Sequence, residues 1–417
     1  MEPGTNNLLH DCRVLDLTDE KGFLCGKILG DLGADVIKIE PPQGDRSRNV
    51  GPFYHDIPHP EKSLYWFAYN GNKRGITLNI ETADGREIFK KLVKKADIVV
   101  NSFQAGYMDK IGLGHDSLAG VNPQVVTVSI TPFGETGPYK DYKAPDIVTA
   151  AMSGGVYVTG DADRAPLRIG FPQSYLYAGA SAAVGALIAY HHSRQSGEGQ
   201  HVDVSTQEAM VPFSATQAPF WYMLKTNLMR RGVFREGTAA KAVIRMLWPC
   251  KDGYVSFTVM GTPTGAKTNK KFMELMEKEG LAGPLRNFDW DGFDRRTATQ
   301  ETQTRVEEAI APFIARHTKE ELFGMAVDNG IMLLPVYTPA ELLECEQLKT
   351  REYWKEIEHP ELGVKVTYPG SFVRCSETDC SIKRRAPLIG EHNEEIYANE
   401  LGFSKKKLVM MKKAGII

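Results

Sequence analysis

The sequence has no surplus of charge of either sign. Its 50 lysines and arginines against 52 aspartates and glutamates leave a formal net charge of −2. A nucleic-acid binder would show a basic excess, so that class is set aside, while a local basic patch for a phosphorylated small molecule stays open. Long apolar runs are missing too. The longest, Ala178 to Tyr190, is too short to cross a bilayer and ends in "HHSRQ". The closing "LVMMKKAGII" reads as a packed tail rather than an anchor. The six cysteines, Cys12, Cys25, Cys250, Cys345, Cys375 and Cys380, make no CxxC pair and follow no disulfide-framework spacing. In a chain of 417 residues this usage predicts reduced thiols. The opening "MEPGTNNLLHDC" has no basic n-region and no apolar h-region, so no leader and a cytoplasmic location are expected. There is no repeat, no low-complexity tract, and no GxGxxG after the first apolar segment, which argues against NAD or FAD.

What is present alternates. "RVLDL" and "DVIKIE" read as buried strands around a helical "KGFLCGKILGDLGA". "RGITLNI" is a further strand. "TADGREIFKKLVKKA" places Ile88, Phe89, Leu92 and Val93 on one helix face. "DIVVNSF" and "QVVTVSITPFG" are strands again. Strand–helix alternation with short links predicts an α/β fold with a Rossmann-like, doubly wound parallel sheet. After "GQHVDVSTQEAMVPF" the pattern changes to a β segment, "GYVSFTV", and three helical stretches. The expected division is a large domain beginning with residues 1–215, a small α+β domain over 225–335, and a return segment, 340–417, packing on the large domain.

Several segments carry a more specific signal. They are "VLDLTDEKGFLCGKILGDLGADVIKIEPPQGDRSR", "NGNKRGITLNIETADGREIFKKLVKKADIVVNSFQAGYMDKIGLG", "SGEGQHVDVSTQEA", "PVYTPAELLECEQLKTREYW", "EHPELG" and "IGEHNEEIYANELGFS". No single one is decisive, but the ordered set resembles the family III CoA-transferases, the CaiB–BaiF family, over essentially the whole chain. The resemblance implies two subunits interlocked like chain links, each with a Rossmann-like large domain and a small domain. It also implies covalent transfer of CoA from a donor thioester to an acceptor carboxylate. An aspartate attacks the donor, forms a mixed anhydride and then an aspartyl-CoA thioester, and backbone N–H groups at helix starts stabilise the oxyanions.

In typical members "SG", "TG" and "P-x-R-x-G" precede the nucleophile, which is the fifth residue after the last glycine. Here "MSGGVYVTGDADRAPLRIG" supplies the landmarks without a gap and ends at Gly170. The fifth residue onward is Tyr175, followed by "LYAG". A phenol has a pKa near ~10 and no carboxyl carbon. It can accept an acyl group in principle but cannot become a thioester with CoA, so no catalytic nucleophile is expected on this chain.

Other residues have two readings each. Asp146 matches an acidic residue beside the family's site and is the alternative nucleophile; it also suits a helix N-terminus, where the dipole favours an acid. Asp203 in "HVDVS" suits packing or an interface. Cys25 in the first helix suits a buried, inert thiol. His191, His192 and His201 match no metal spacing, so no metal is expected. For CoA binding, the family's "AGP" turn corresponds to the bulkier Gly22, Phe23 and Leu24, and its "ENFRPG" segment to "NSFQAG", Asn101 to Gly106. Phe103, Lys110, Lys38, Lys73 and Arg74 are the expected CoA contacts, each lysine being equally readable as a solvated surface charge. The glycine-rich loop over the family's site falls at "VMGTPTGAKTN", which keeps Gly261 and Gly265.

The expectation is therefore a nucleophile-lacking subunit of a heteromeric CoA-transferase, paired with a homologous, aspartate-bearing subunit. The family includes such a case in anaerobic toluene degradation, which points to succinyl-CoA as donor and (R)-benzylsuccinate as acceptor. A CoA thioester is then substrate, with no redox nucleotide and no membrane partner. The alternatives are a self-sufficient homodimer using Asp146, an acyl-CoA racemase, and a non-enzymatic CoA-binding regulator. The racemase reading needs an Asp/His pair, and "TPFGETGPYKDY" lacks the histidine.

Overall fold

β1 (Arg13–Leu17) begins a strand–helix alternation that runs through α1 (Phe23–Asp31), β2 (Asp35–Glu40), α2 (Leu64–Asn70), β3 (Lys73–Thr77) and α3 (Ala83–Val93). It continues with β4 (Ile98–Asn101), α4 (Tyr107–Lys110), α5 (His115–Ala119), β5 (Val126–Thr131), α6 (Asp146–Met152), α7 (Gln173–Ser196) and β6 (His201–Ser205). The computed structural model describes residues 7–214, 217–236, 242–261, 264–294 and 296–417. The six strands form one parallel sheet in the order β3-β2-β1-β4-β5-β6. This is a doubly wound α/β sheet whose strand order reverses between β1 and β4.

Successive strand residues face opposite sides, and both sides are covered. Leu15, Leu17, Ile37, Ile39, Ile76 and Val99 pack with Ile88, Phe89 and Leu92 of α3. Val14, Val36, Ile98, Val100, Val126 and Val128 pack with Cys25 and Leu29 of α1 and the alanines of α7. A sheet buried on both faces needs near-continuous apolar strands, which is why the strands stand out in the sequence. The small residues of α7 bring it onto the α1 backbone: a Cβ on Gly179 would lie 2.8 Å from Leu24 Cβ and 3.2 Å from the Cys25 nitrogen.

By internal contact the chain divides into two units. The first holds Met1–Ser153, Gly170–Phe213 and Glu346–Ile417; the second holds Gly154–Ile169 and Ser214–Cys345. The stretch 154–169, assigned to the large domain from sequence, groups with the second unit, and residue 215 of the expected boundary lies outside the described residues. Within the first unit the chain end packs on the sheet. Met411, Ile416 and Ile417 are buried beside α3, and Asn79 N–H donates to Ile416 O at 2.8 Å. The second unit has its own core, built on the strands Leu247–Cys250, Gly253–Phe257 and Leu333–Val336, with Trp248, Phe257, Phe272 and Phe313 at its centre. Among the described residues no helix is long and apolar enough to cross a membrane.

Candidate functional site

Two helix starts meet at the position singled out from sequence. α6 begins at Asp146 and α7 at Gln173, and neither N-cap residue, Pro145 or Pro172, caps with its own side chain. Each helix is capped by the other instead. The Asp146 N–H donates to the Tyr175 Oη at 3.0 Å. The Asp146 Oδ1 accepts from the Ser174 N–H at 3.0 Å and from the Ser174 hydroxyl at 2.7 Å. Thr149 Oγ1 lies 2.9 Å from Ser174 Oγ and completes the cluster. First-turn N–H groups have no intrahelical acceptor, so these bonds satisfy donors that would otherwise be available to an oxyanion. Asp146, 6% exposed, thus has its carboxylate turned to a capping role.

The surroundings do not favour anionic chemistry at Tyr175. Burial pushes its phenol up to about 12, against the bond from the Asp146 N–H, and the negative charges of Glu20, Asp146 and Asp19 push the same way. Tyr65 is raised by burial first, then by Tyr69, Glu20, Tyr175 and Asp146. A phenol in this setting is neutral at pH 7 and is no phenolate nucleophile. The neutral form is the one favoured on folding, so its contribution is complete below the unfolded phenol value of ~10 and is lost as pH rises from there. We expect the phenolate absorbance that distinguishes the native chain from its Tyr175→Phe variant to rise only near pH 12. A difference signal centred at pH 10 would mean that the phenol is solvated.

The β1–α1 turn beside this cluster is held from below. Lys73 Nζ donates to Asp16 Oδ2 at 2.8 Å, Asn70 Oδ1 at 2.9 Å and Phe23 O at 3.1 Å. Lys38 Nζ donates to Thr18 O. Burial tends to raise the Asp16 carboxyl, but Lys73 and Lys38 hold it below the usual range. Gly26 makes room for the pair, since a Cβ there would sit 2.2 Å from Asp16 Oδ2. Phe23, the first residue of α1, is buried edge-on to Trp66, with centroids 5.4 Å apart, in a cluster with Phe67 and Tyr368.

The expected CoA contacts divide. A crevice of about 690 Å³ opens at the carboxyl ends of β1, β2 and β4 and is lined by Leu17, Ile39, Ser102, Phe103 and Tyr107, with Lys21 and Arg46 as its cations and Asp19, Glu40, Asp45 and Glu81 as its acids. It lies where the strand order reverses, the ligand position of open α/β sheets. Phe103 belongs to it, its ring tilted by 42° against that of Tyr107 at 4.7 Å between centroids. Lys110 is exposed at the end of α4 and is not among the lining residues. The other three cations correct the sequence reading. Lys38 and Lys73 have no exposure and serve the buried Asp16. Arg74 pairs with Asp35, Glu395 and Glu400 at 2.6–2.7 Å, by the amino ends of β2 and β3, the edge opposite the crevice. Sequence reasoning missed Lys21 and Arg46. The available signal was "GDRSR", where two arginines two residues apart split: Arg48 turns in to Glu40, and Arg46 stays 72% exposed while pairing with Asp19 and Glu20.

The remaining candidates are dispersed. Asp203 Oδ2 accepts from the Glu135 N–H at 2.9 Å. Cys25 is fully buried, and burial pushes its thiol far up. His191 and His192 are exposed on α7, while His201 bonds Ser129 Oγ at 3.0 Å. Among the described residues no group of three His, Cys, Asp or Glu side chains is arranged to hold a metal. Gly261 and Gly265 lie in the second unit, joined by a 3.0 Å backbone hydrogen bond; residues 262 and 263 of that loop are outside the described residues.

Comparison with known proteins agrees with this architecture. Residues 9–393 match CoA-transferase family III. The chain is 36% identical over 388 residues to subunit BbsE of the succinyl-CoA:(R)-benzylsuccinate CoA-transferase of Thauera aromatica, covering 92% of each chain. It is 30% identical to the succinyl-CoA–D-citramalate CoA-transferase of Chloroflexus aurantiacus, covering 98% of each. A solved CaiB/BaiF family protein from Brucella suis superposes with a TM-score of 0.80 at 27% identity, over 93% of this chain and 98% of the other. With the doubly wound sheet, the crevice at its switch point and matches spanning nearly all of the sequence, the chain belongs to CoA-transferase family III.

Proposed function

We propose that this chain is the nucleophile-lacking subunit of a heteromeric CoA-transferase. The observation that carries the reading is Tyr175, a neutral phenol bonded to the Asp146 N–H at the register where the family's aspartate is expected. The partner is a homologous subunit that brings the aspartate, interlocked with this one. Its carboxylate attacks the acyl-CoA carbonyl and expels CoA thiolate, leaving a mixed anhydride. The thiolate attacks the aspartyl carbonyl, releases the donor acid and leaves an aspartyl-CoA thioester. The acceptor carboxylate then attacks that thioester, and the same two steps run in reverse onto the acceptor. This chain supplies scaffold and the Phe103-lined crevice for a CoA thioester. Succinyl-CoA as donor and (R)-benzylsuccinate as acceptor are proposed because the Thauera relative is named for them. A cytoplasmic setting fits these soluble substrates.

The rival reading, a homodimer using Asp146, has less support, because that carboxylate is buried and accepts two hydrogen bonds from Ser174. Trapping separates the two. The co-purified complex is incubated with succinyl-CoA and hydroxylamine, and each subunit is mapped by mass spectrometry. A hydroxamate is expected on an aspartate of the partner and none on this chain. A hydroxamate at Asp146 would overturn the proposal.

A further inference from the structure

Within the return segment, the loop that follows the hairpin Trp354–His359/Val364–Pro369 holds two cysteines that the transfer reaction does not use. Cys375 Sγ and Cys380 Sγ are 4.0 Å apart as free thiols. Both line a groove of about 430 Å³, Cys375 partly exposed and Cys380 the more buried of the two. The chain between them forms no helix or strand, so drawing the sulfurs together by about 2 Å, to disulfide length, breaks no ladder. Cys12 and Cys25 are fully enclosed in the sheet core, and burial holds both as unreactive thiols.

We propose that Cys375 and Cys380 form a reversible dithiol–disulfide couple, with Cys375 meeting a low-molecular-weight disulfide and Cys380 resolving the adduct. Cys375, as thiolate, attacks one sulfur of the reagent; that S–S bond breaks and the second sulfur leaves as a small thiolate. Cys380 gives its proton to solvent and attacks Cys375 Sγ, expelling the first small thiol. The two protein thiols are oxidised and one small disulfide is reduced to two thiols. The new bond fixes the chain immediately before Ser381. From there the strap clamps Asn72: Ser381 O accepts from Asn72 Nδ2 at 3.0 Å, Lys383 N–H donates to Asn72 Oδ1 at 2.8 Å, and Asn72 N–H donates to Arg384 O at 2.9 Å. Asn72 precedes Lys73, so the couple braces the start of β3.

The test uses the full chain, reduced, desalted and incubated with oxidised glutathione. Free thiols counted after denaturation should fall by two from the six of the sequence, with no glutathione retained, and dithiothreitol should restore them. Trypsin cleaves after Arg374 and Lys383 and releases both cysteines on one peptide, so the bond reads as the loss of two hydrogens. Cys380→Ser should accumulate glutathione on Cys375, because nothing resolves it, while Cys375→Ser should keep its remaining thiols. The idea is overturned by stable glutathione on Cys375 of the native chain, by thiol loss at any other cysteine, or by a Cys380→Ser variant that takes up none.

Discussion

Arg48→Met is expected to lower the stability of the first unit by about 3–5 kcal/mol, the cost of stripping one partner from a buried ion pair. Arg48 and Glu40 have no side-chain exposure and meet through two bonds, Nε to Oε2 at 2.6 Å and Nη2 to Oε1 at 2.7 Å. The guanidinium also lies 3.8 Å over the Trp66 ring, donates to Pro387 O at 2.9 Å and reaches Glu61 at 2.7 Å. One side chain therefore ties the end of β2 to α2 and to the return segment. Methionine fills much of the volume but leaves the Glu40 carboxylate on the Asp45 N–H, without its guanidinium. Arg48→Lys should recover little, since an ammonium cannot match the planar fork. Glu40→Gln added to Arg48→Met should recover at least half, because the stranded charge is gone. Urea unfolding followed by tryptophan fluorescence measures all three. Equal loss in the single and double variants would show that the packing on Trp66, not the charge pair, carries the energy.

The same residues explain what was and was not legible in the sequence. Apolar strands such as "RVLDL" stand out because the sheet is buried on both faces, and strand–helix alternation with short links leaves a doubly wound sheet as its natural fold. Lys38 and Lys73 were misread for a physical reason. A lysine in a strand reads as a surface charge unless its buried partner is known, and that partner, Asp16, sits two strands from Lys73 in the spatial order β3-β2-β1. Arg74 was misread because composition does not say which end of a strand faces the ligand. The family register located Tyr175 but not its bond to Asp146, 29 residues earlier, which exists only because two helix starts converge. The excursion of residues 154–169 into the second unit has no local signature, since a change of unit needs neither proline nor charge run.

On the proposed heteromeric reading, the largest expected effect falls on the partner's chain. In the purified complex, alanine in place of the partner's nucleophilic aspartate should lower kcat on the order of 10⁵- to 10⁶-fold, the scale on which covalent catalysis collapses without its nucleophile. Tyr175→Phe in this chain should change kcat less than about twofold, since it removes one cap bond from α6 and no reacting group. Tyr175→Asp is the sharper variant. It returns a carboxylate to the register, yet a shorter side chain leaves the Asp146 N–H without the Tyr175 Oη. The new acid also joins Glu20, Asp146 and Asp19, the charges that already oppose ionisation at this position. The β1–α1 turn still carries the bulky, buried Phe23 at the start of α1. The variant chain alone should therefore show no burst of free CoA thiol from succinyl-CoA, and the complex carrying it should keep one reacting site. A full burst from the Tyr175→Asp chain alone would mean that only the carboxylate is missing and that the turn, the caps and the acidic surroundings are all compatible with transfer.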